Sequence, residues 1–282
     1  MIKDVIVHLD GTLSDEERLQ HAEALASASQ AHLTGLFTNP LPDFATLIPM
    51  DGGVFAADVI VKLEEDAHHQ GDLAHQRLVE RFGRFGVPNE IRRLDGTPGQ
   101  LLGPAASEAR WADLFVIGRP YGRNGDSQWE SLFEAVLFES GRGVLVVPPG
   151  HRSSDGMRRV LVCWKDTREA TRAVAEATPI LEKAARTVIL LVDPGSPENR
   201  GKSEPAADLA KHLDRHGAQV EVVVAKSRGR SVSDVILEQA GRISADLIVM
   251  GGYGHSRARE WIMGGVTRDL LSSSRFPILM AH

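Results

Sequence analysis

The chain has 282 residues, 42% of them hydrophobic and 25% charged, with a formal net charge of −6. That length allows two ordinary domains, and the negative balance excludes a bulk pull toward nucleic acid or an anionic membrane. No apolar stretch reaches membrane-span length, and one cysteine, Cys163, excludes an internal disulfide framework and a cysteine-based zinc cluster.

In chain order, the N-terminal MIKDVIVHLDG lacks a signal-peptide layout, so a cytoplasmic protein is expected. Its run VIVHL (5–9) reads as a strand, and DEERLQHAEALASAS reads as a helix, with Ser14 and Glu17 spaced as a capping box. Strand-like runs follow at HLTGLF (32–37), NEIRRL (89–94), LFVIG (114–118) and GVLVV (143–147). After the polar, basic linker PPGHRSSDGMRR come VLVCW (160–164), TVILLV (187–192), VEVVVA (220–225), LIVMG (247–251) and PILMA (277–281). The helix candidate REATRAVAEATPILEKA follows the first of these. Strands alternating with helices imply parallel sheets with right-handed crossovers. Cys163 sits in an apolar run, where inert burial is expected.

The two halves repeat. Gly118–Val147 and Gly251–Met280 have equal spans at an offset of 133, while Val5 corresponds to Val160 at an offset of 155. The first half therefore carries an insert of roughly twenty residues between about Thr38 and Asp66. It reads as a loop plus a lengthened helix, with a ligand lid or partner surface as the alternative. The expected fold is α/β: two tandem Rossmann-like domains, 1–150 and 158–282, each a five-stranded parallel sheet with helices on both faces.

Chemistry gathers in GGYGHSRAREWIMGGVTRDLL, from Gly251 to Leu271. In open parallel sheets ligands sit at the carboxyl ends of strands, and glycine-rich backbone leading into a helix N-terminus can hold an anion. Gly251 and Gly254 would shape the turn, Gly264 and Gly265 would open the final helix, and Val266, Leu270 and Leu271 would form its buried side. The alternative is that the glycines only allow tight helix–sheet packing. His255 and Ser256 lie inside the loop, and Arg257 and Arg259 either steer phosphate or form a solvated face. Asp166 and Asp193 follow strands and read as caps or turn residues rather than cation ligands. His68, His69, Asp72 and His75 read as a polar helix face rather than a metal site. No P-loop, nucleophile elbow or HExxH motif occurs, so no enzyme is expected.

On these glycines the chain resembles the universal stress protein family in a tandem form. Nucleotide-binding members of that family carry G-x2-G-x9-G-[S/T], and Gly251, Gly254 and Gly264 match the spacing. Gly265 stands where the hydroxyl residue would be, with Thr267 close by. The resemblance implies a fold like that of the adenine nucleotide alpha hydrolases. It also implies an adenine nucleotide ligand (ATP, ADP or AMP, with or without magnesium) in the second half. The site would comprise Trp164, Lys165, Asp166, Thr167, Val192, Gly251, Gly252, Gly254, His255, Ser256, Gly264, Gly265, Val266 and Thr267. Lys165 occupies the place of the family's nucleoside-contacting aspartate, and Val192 that of its backbone contact to adenine. The first half keeps that aspartate as Asp10 but places Tyr121, Ser131 and Leu132 opposite Gly254, Gly264 and Gly265, so a degenerate site is expected there. The implied role is a stress-response regulator or sensor, with the halves pairing through GVLVV and PILMA and with a homodimer of whole chains as a further expectation. The alternatives are a nucleotide-independent interaction module and, behind it, a slow ATP hydrolase.

Overall fold

The computed structural model describes residues 1–44, 54–122, 129–152, 156–194, 206–253 and 265–282. The first half contains β1 (Asp4–Leu9), α1 (Asp15–Ser29), β2 (His32–Pro40), α2 (Val54–Phe82), β3 (Asn89–Gly96), α3 (Pro98–Ala109), β4 (Leu114–Gly118), α4 (Glu130–Glu139) and β5 (Gly143–Val147). The second contains β6 (Arg159–Cys163), α5 (Arg168–Leu181), β7 (Arg186–Val192), α6 (Ala207–Arg215), β8 (Val220–Ala225), α7 (Val232–Arg242), β9 (Leu247–Gly251), α8 (Gly265–Ser273) and β10 (Ile278–Ala281).

The strands form one sheet in the order β3-β2-β1-β4-β5-β10-β9-β6-β7-β8. Every neighbouring pair is parallel except β5 and β10, which run antiparallel with Leu145 opposite Leu279. The apolar last strands therefore bury each other's edges and join the two parallel halves. The antiparallel seam also points the carboxyl ends of the two halves toward opposite ends of the sheet.

Helices cover both faces. Leu19, Phe82, Val174 and Leu213, from α1, α2, α5 and α6, share one core cluster. Leu101, Phe133, Ile236 and Leu270, from α3, α4, α7 and α8, share the other. Among the described residues no helix is long and apolar enough to cross a membrane.

Two details differ from the sequence reading. Val144 pairs with Phe115, whereas Ile278 pairs with Ile248, so the last strands correspond at an offset of 134 rather than 133. The helices before them follow suit: buried Phe133, Val136 and Leu137 match Thr267, Leu270 and Leu271. Gly265 thus stands opposite Ser131, not Leu132. Second, Ser14 makes no capping bond and has helical backbone angles. The next residue, Asp15, instead accepts the backbone N–H groups of Asp10 and Gly11 at 3.1 and 2.8 Å, and Glu17 accepts from Gly150 N at 2.8 Å. The lengthened helix expected in the first half is α2, at 29 residues against 9 for α6. The central part of the insert, where a lid would lie, is outside the described residues.

Candidate nucleotide site in the second half and its occupied counterpart

The second-half site is framed by the carboxyl ends of β6, β7 and β9. After β6, half-buried Trp164 stays in the sheet, its N–H donating to Leu190 O at 2.9 Å. Lys165 and Asp166 are exposed. Thr167, not Asp166, caps α5: its Oγ1 accepts from Ala170 N at 3.3 Å. Burial pushes the Cys163 thiol up to about 12, which keeps it protonated and inert. Half-buried Val192 closes β7. Asp193 is a turn residue in the left-handed region (φ 47°), its carboxylate accepting from Ser227 N at 3.1 Å.

The glycines divide by role. A Cβ on Gly251 would lie 2.5 Å from Ala170 N and 2.7 Å from Glu169 C, so this residue lets β9 pass directly under the start of α5. The packing explanation therefore holds at Gly251. Gly252 is fixed at both ends: its N–H donates to Ala281 O at 2.9 Å, and its carbonyl accepts from His282 Nδ1 at 3.1 Å. The turn itself is made by Tyr253, in the left-handed region at φ 54°, rather than by Gly251. Gly265 opens α8, is exposed, and has no atom of the described residues within 4 Å of its Cβ direction. Val266 is half-buried and Thr267 is buried. Gly254, His255, Ser256, Arg257, Arg259 and Gly264 lie outside the described residues.

The corresponding place in the first half is filled by the protein itself. Arg18, 3% exposed, reaches from α1 to Asp10 at 2.7 Å and also pairs with Asp15. Asp10 further accepts from Thr12 Oγ1 at 2.6 Å and from the Trp129 indole at 2.7 Å. Arg18 Nη1 lies 3.3 Å from where a Cβ on Gly118 would stand, so the guanidinium rests on the end of β4. His8 shares a hydrogen bond with Thr38 at 2.8 Å and packs edge-on against Trp129.

Burial would raise the Asp10 carboxyl, but Arg18's charge and hydrogen bonds hold it well below the usual range. Burial raises Asp15 to about 6 against the pull of Arg18, with Asp10's charge adding to the rise. Burial, with Arg18 nearby, lowers His8 to about 3, so the cluster holds two carboxyls, one guanidinium and a neutral imidazole. At the offset of 155, the second half has Lys165 for Asp10, Ala170 for Asp15 and Ala173 for Arg18. The site with the nucleoside-type aspartate is plugged, and the site without it has no plug from these positions. Leu132, read from sequence as the obstruction in the first half, instead lies in the core of α4 at 1% exposed. Sequence reasoning missed Arg18 and Trp129. The available signal was two charged residues, Asp15 and Arg18, at the buried spacing that Leu19 and Ala22 continue.

Among the described residues no group of three His, Cys, Asp or Glu side chains is arranged to hold a metal. His68 instead lies 3.7 Å from Asp95, and Asp72 pairs with Arg93 at 2.6 Å.

Two five-stranded parallel halves of one sheet, each flanked by helices and with candidate sites at strand carboxyl ends, define a tandem Rossmann-like protein. Residues 156–282 match the sequence profile of the Universal stress protein family. Solved structures extend the likeness to the whole fold. A universal stress protein from Archaeoglobus fulgidus DSM 4304 matches with a TM-score of 0.71 at 16% identity, covering 99% of this chain and 95% of its own. A Pseudomonas aeruginosa UCBPP-PA14 protein assigned to the same family matches with a TM-score of 0.58 at 14% identity, covering 99% and 92%. Among curated proteins none matches the sequence.

Proposed function

We propose that this protein binds an adenine nucleotide in its second half and acts as a nucleotide-linked stress regulator rather than as an enzyme. The observation that carries the reading is the contrast at the two helix mouths. Among the described residues no side chain stands over Gly265 at the start of α8, while the first-half counterpart is closed by Arg18 and Trp129. Bare N–H groups at a helix start favour an anionic group such as a phosphate. The family-profile match of residues 156–282 and the Gly251, Gly254, Gly264 spacing support the same reading. Regulation would follow from different affinities of two conformations for the nucleotide.

Calorimetric titration of the full chain with ATP, ADP and AMP tests this, together with mass spectrometry of small molecules released on denaturing freshly purified protein. Saturable binding in the micromolar to millimolar range is expected, without product formation. A flat titration at millimolar nucleotide and no released nucleotide would sink the reading. The exposed Lys165 in the aspartate's place favours the second reading, a nucleotide-independent interaction module, which a flat titration would support.

A further inference from the structure

The antiparallel seam sends β4 and β9 out of the sheet at opposite ends. Yet Tyr121, three residues beyond β4, and Tyr253, two beyond β9, reach back toward each other until their hydroxyl oxygens are 2.7 Å apart. Tyr121 is buried and donates to Glu134 Oε1 on α4 at 3.1 Å, so Tyr253 is the donor to Tyr121. Burial raises both phenols, Tyr253 to about 12, and both keep their protons at neutral pH. The Arg268 guanidinium, on α8, lies 5.5 Å from the Tyr121 ring centroid. One first-half tyrosine thus touches the chain on both sides of the glycine-rich segment: Tyr253 at its entry and α8 at its exit.

Tyr253 needs such support. A non-glycine residue in the left-handed region is unfavourable because its Cβ crowds the following carbonyl, and here that conformation sets the direction in which the chain leaves β9. The Phe138 ring also packs on Tyr253, with centroids 5.2 Å apart, and meets the His282 ring at 4.8 Å. His282 in turn holds the Gly252 carbonyl. Tyr121, Glu134 and Phe138 all belong to the half whose own site is plugged.

We propose that the first half completes the second half's site, with Tyr121 as a positioning residue that fixes the β9 exit through Tyr253. This rests on the nucleotide reading above. In the full chain, Tyr121→Phe removes the hydroxyl and keeps the ring. Losing one net hydrogen bond is worth about 1 kcal/mol, so the ATP dissociation constant rises roughly fivefold. Tyr253→Phe gives the same loss, and the double variant loses no more than either single one, because both remove the same bond. A purely structural role would lower the melting temperature without that non-additivity in binding. Hydrogen exchange at the Gly252 and Tyr253 amides, measured without nucleotide, should accelerate in Tyr121→Phe. Unchanged ATP affinity with unchanged exchange overturns the positioning role and leaves the nucleotide reading standing, and additive losses in the double variant likewise overturn it. Failure of the wild-type chain to bind ATP overturns both.

Discussion

The indole nitrogen of Trp129 donates to the Asp10 carboxylate at 2.7 Å, across 119 residues of chain. Asp10 directly follows β1 and Trp129 immediately precedes α4, so this bond spans the gap where an open nucleotide-binding domain of this topology keeps its ligand space. The first half closes its own site with side chains that satisfy one another.

Replacing Trp129 by Phe deprives a buried carboxylate of one donor. A charge-assisted hydrogen bond contributes about 2 kcal/mol, and a loss of that order is expected in urea unfolding. A loss below about 0.5 kcal/mol would mean that the bond adds little to the cluster.

Arg18→Met removes the only cation the described residues offer to two buried carboxyls, at an expected cost of about 3–5 kcal/mol near neutral pH. The pH dependence has a definite sign. Asp15 has a folded value of about 6 against an ordinary 3.8, so its acid form is favoured by folding. Its contribution is fully present below about pH 4 and is lost as pH rises through about 6. Without Arg18 both carboxyls are pushed further up. The deficit of the variant should therefore be smaller at pH 4.5 than at pH 7.5 in parallel urea titrations. A deficit that does not change with pH would contradict the assigned charge state.

The two glycines of the second half should part company. Gly251→Ala drives a methyl into the backbone of α5 and should destabilise by about 2–3 kcal/mol, as overpacking against an unyielding neighbour does. Gly265→Ala meets no atom of the described residues and replaces a poor helix former, so stability should hold or rise by up to about 1 kcal/mol. Its nucleotide affinity should nonetheless fall if phosphate approaches that backbone. Equal effects of the two substitutions on stability would refute the division.

Acid should loosen the linker between the halves. His21 on α1 lies 3.0 Å from His151 in the linker, nitrogen to nitrogen, which requires at least one neutral ring. Burial and the neighbouring imidazole lower His21 to about 4, and burial lowers His151 against the opposing charges of Asp246 and Glu17. A lowered histidine stabilises the fold above its unfolded value of 6.5, and the contribution is lost as pH falls through the folded value. His21→Phe should flatten the decline in stability between pH 6.5 and 4, followed by thermal unfolding. An equally steep decline in the variant would clear this pair of responsibility.

The sequence by itself determined the alternation of strands and helices and the doubling of the chain, which follow from local periodicity and from the repeated order of apolar runs, while the pairing of its two last strands was implied only by the family resemblance. It also located the glycines, because their spacing is a one-dimensional fact. Tertiary structure decided the rest. The 134-residue register of the last strands follows from hydrogen-bond partners in the sheet, which sequence spacing does not contain. The Asp10–Arg18–Trp129 closure and the Tyr121–Tyr253 contact join residues 8, 119 and 132 positions apart. Whether a strand end is open or filled depends on which side chains from distant segments converge there, and that convergence is a property of the packed chain alone.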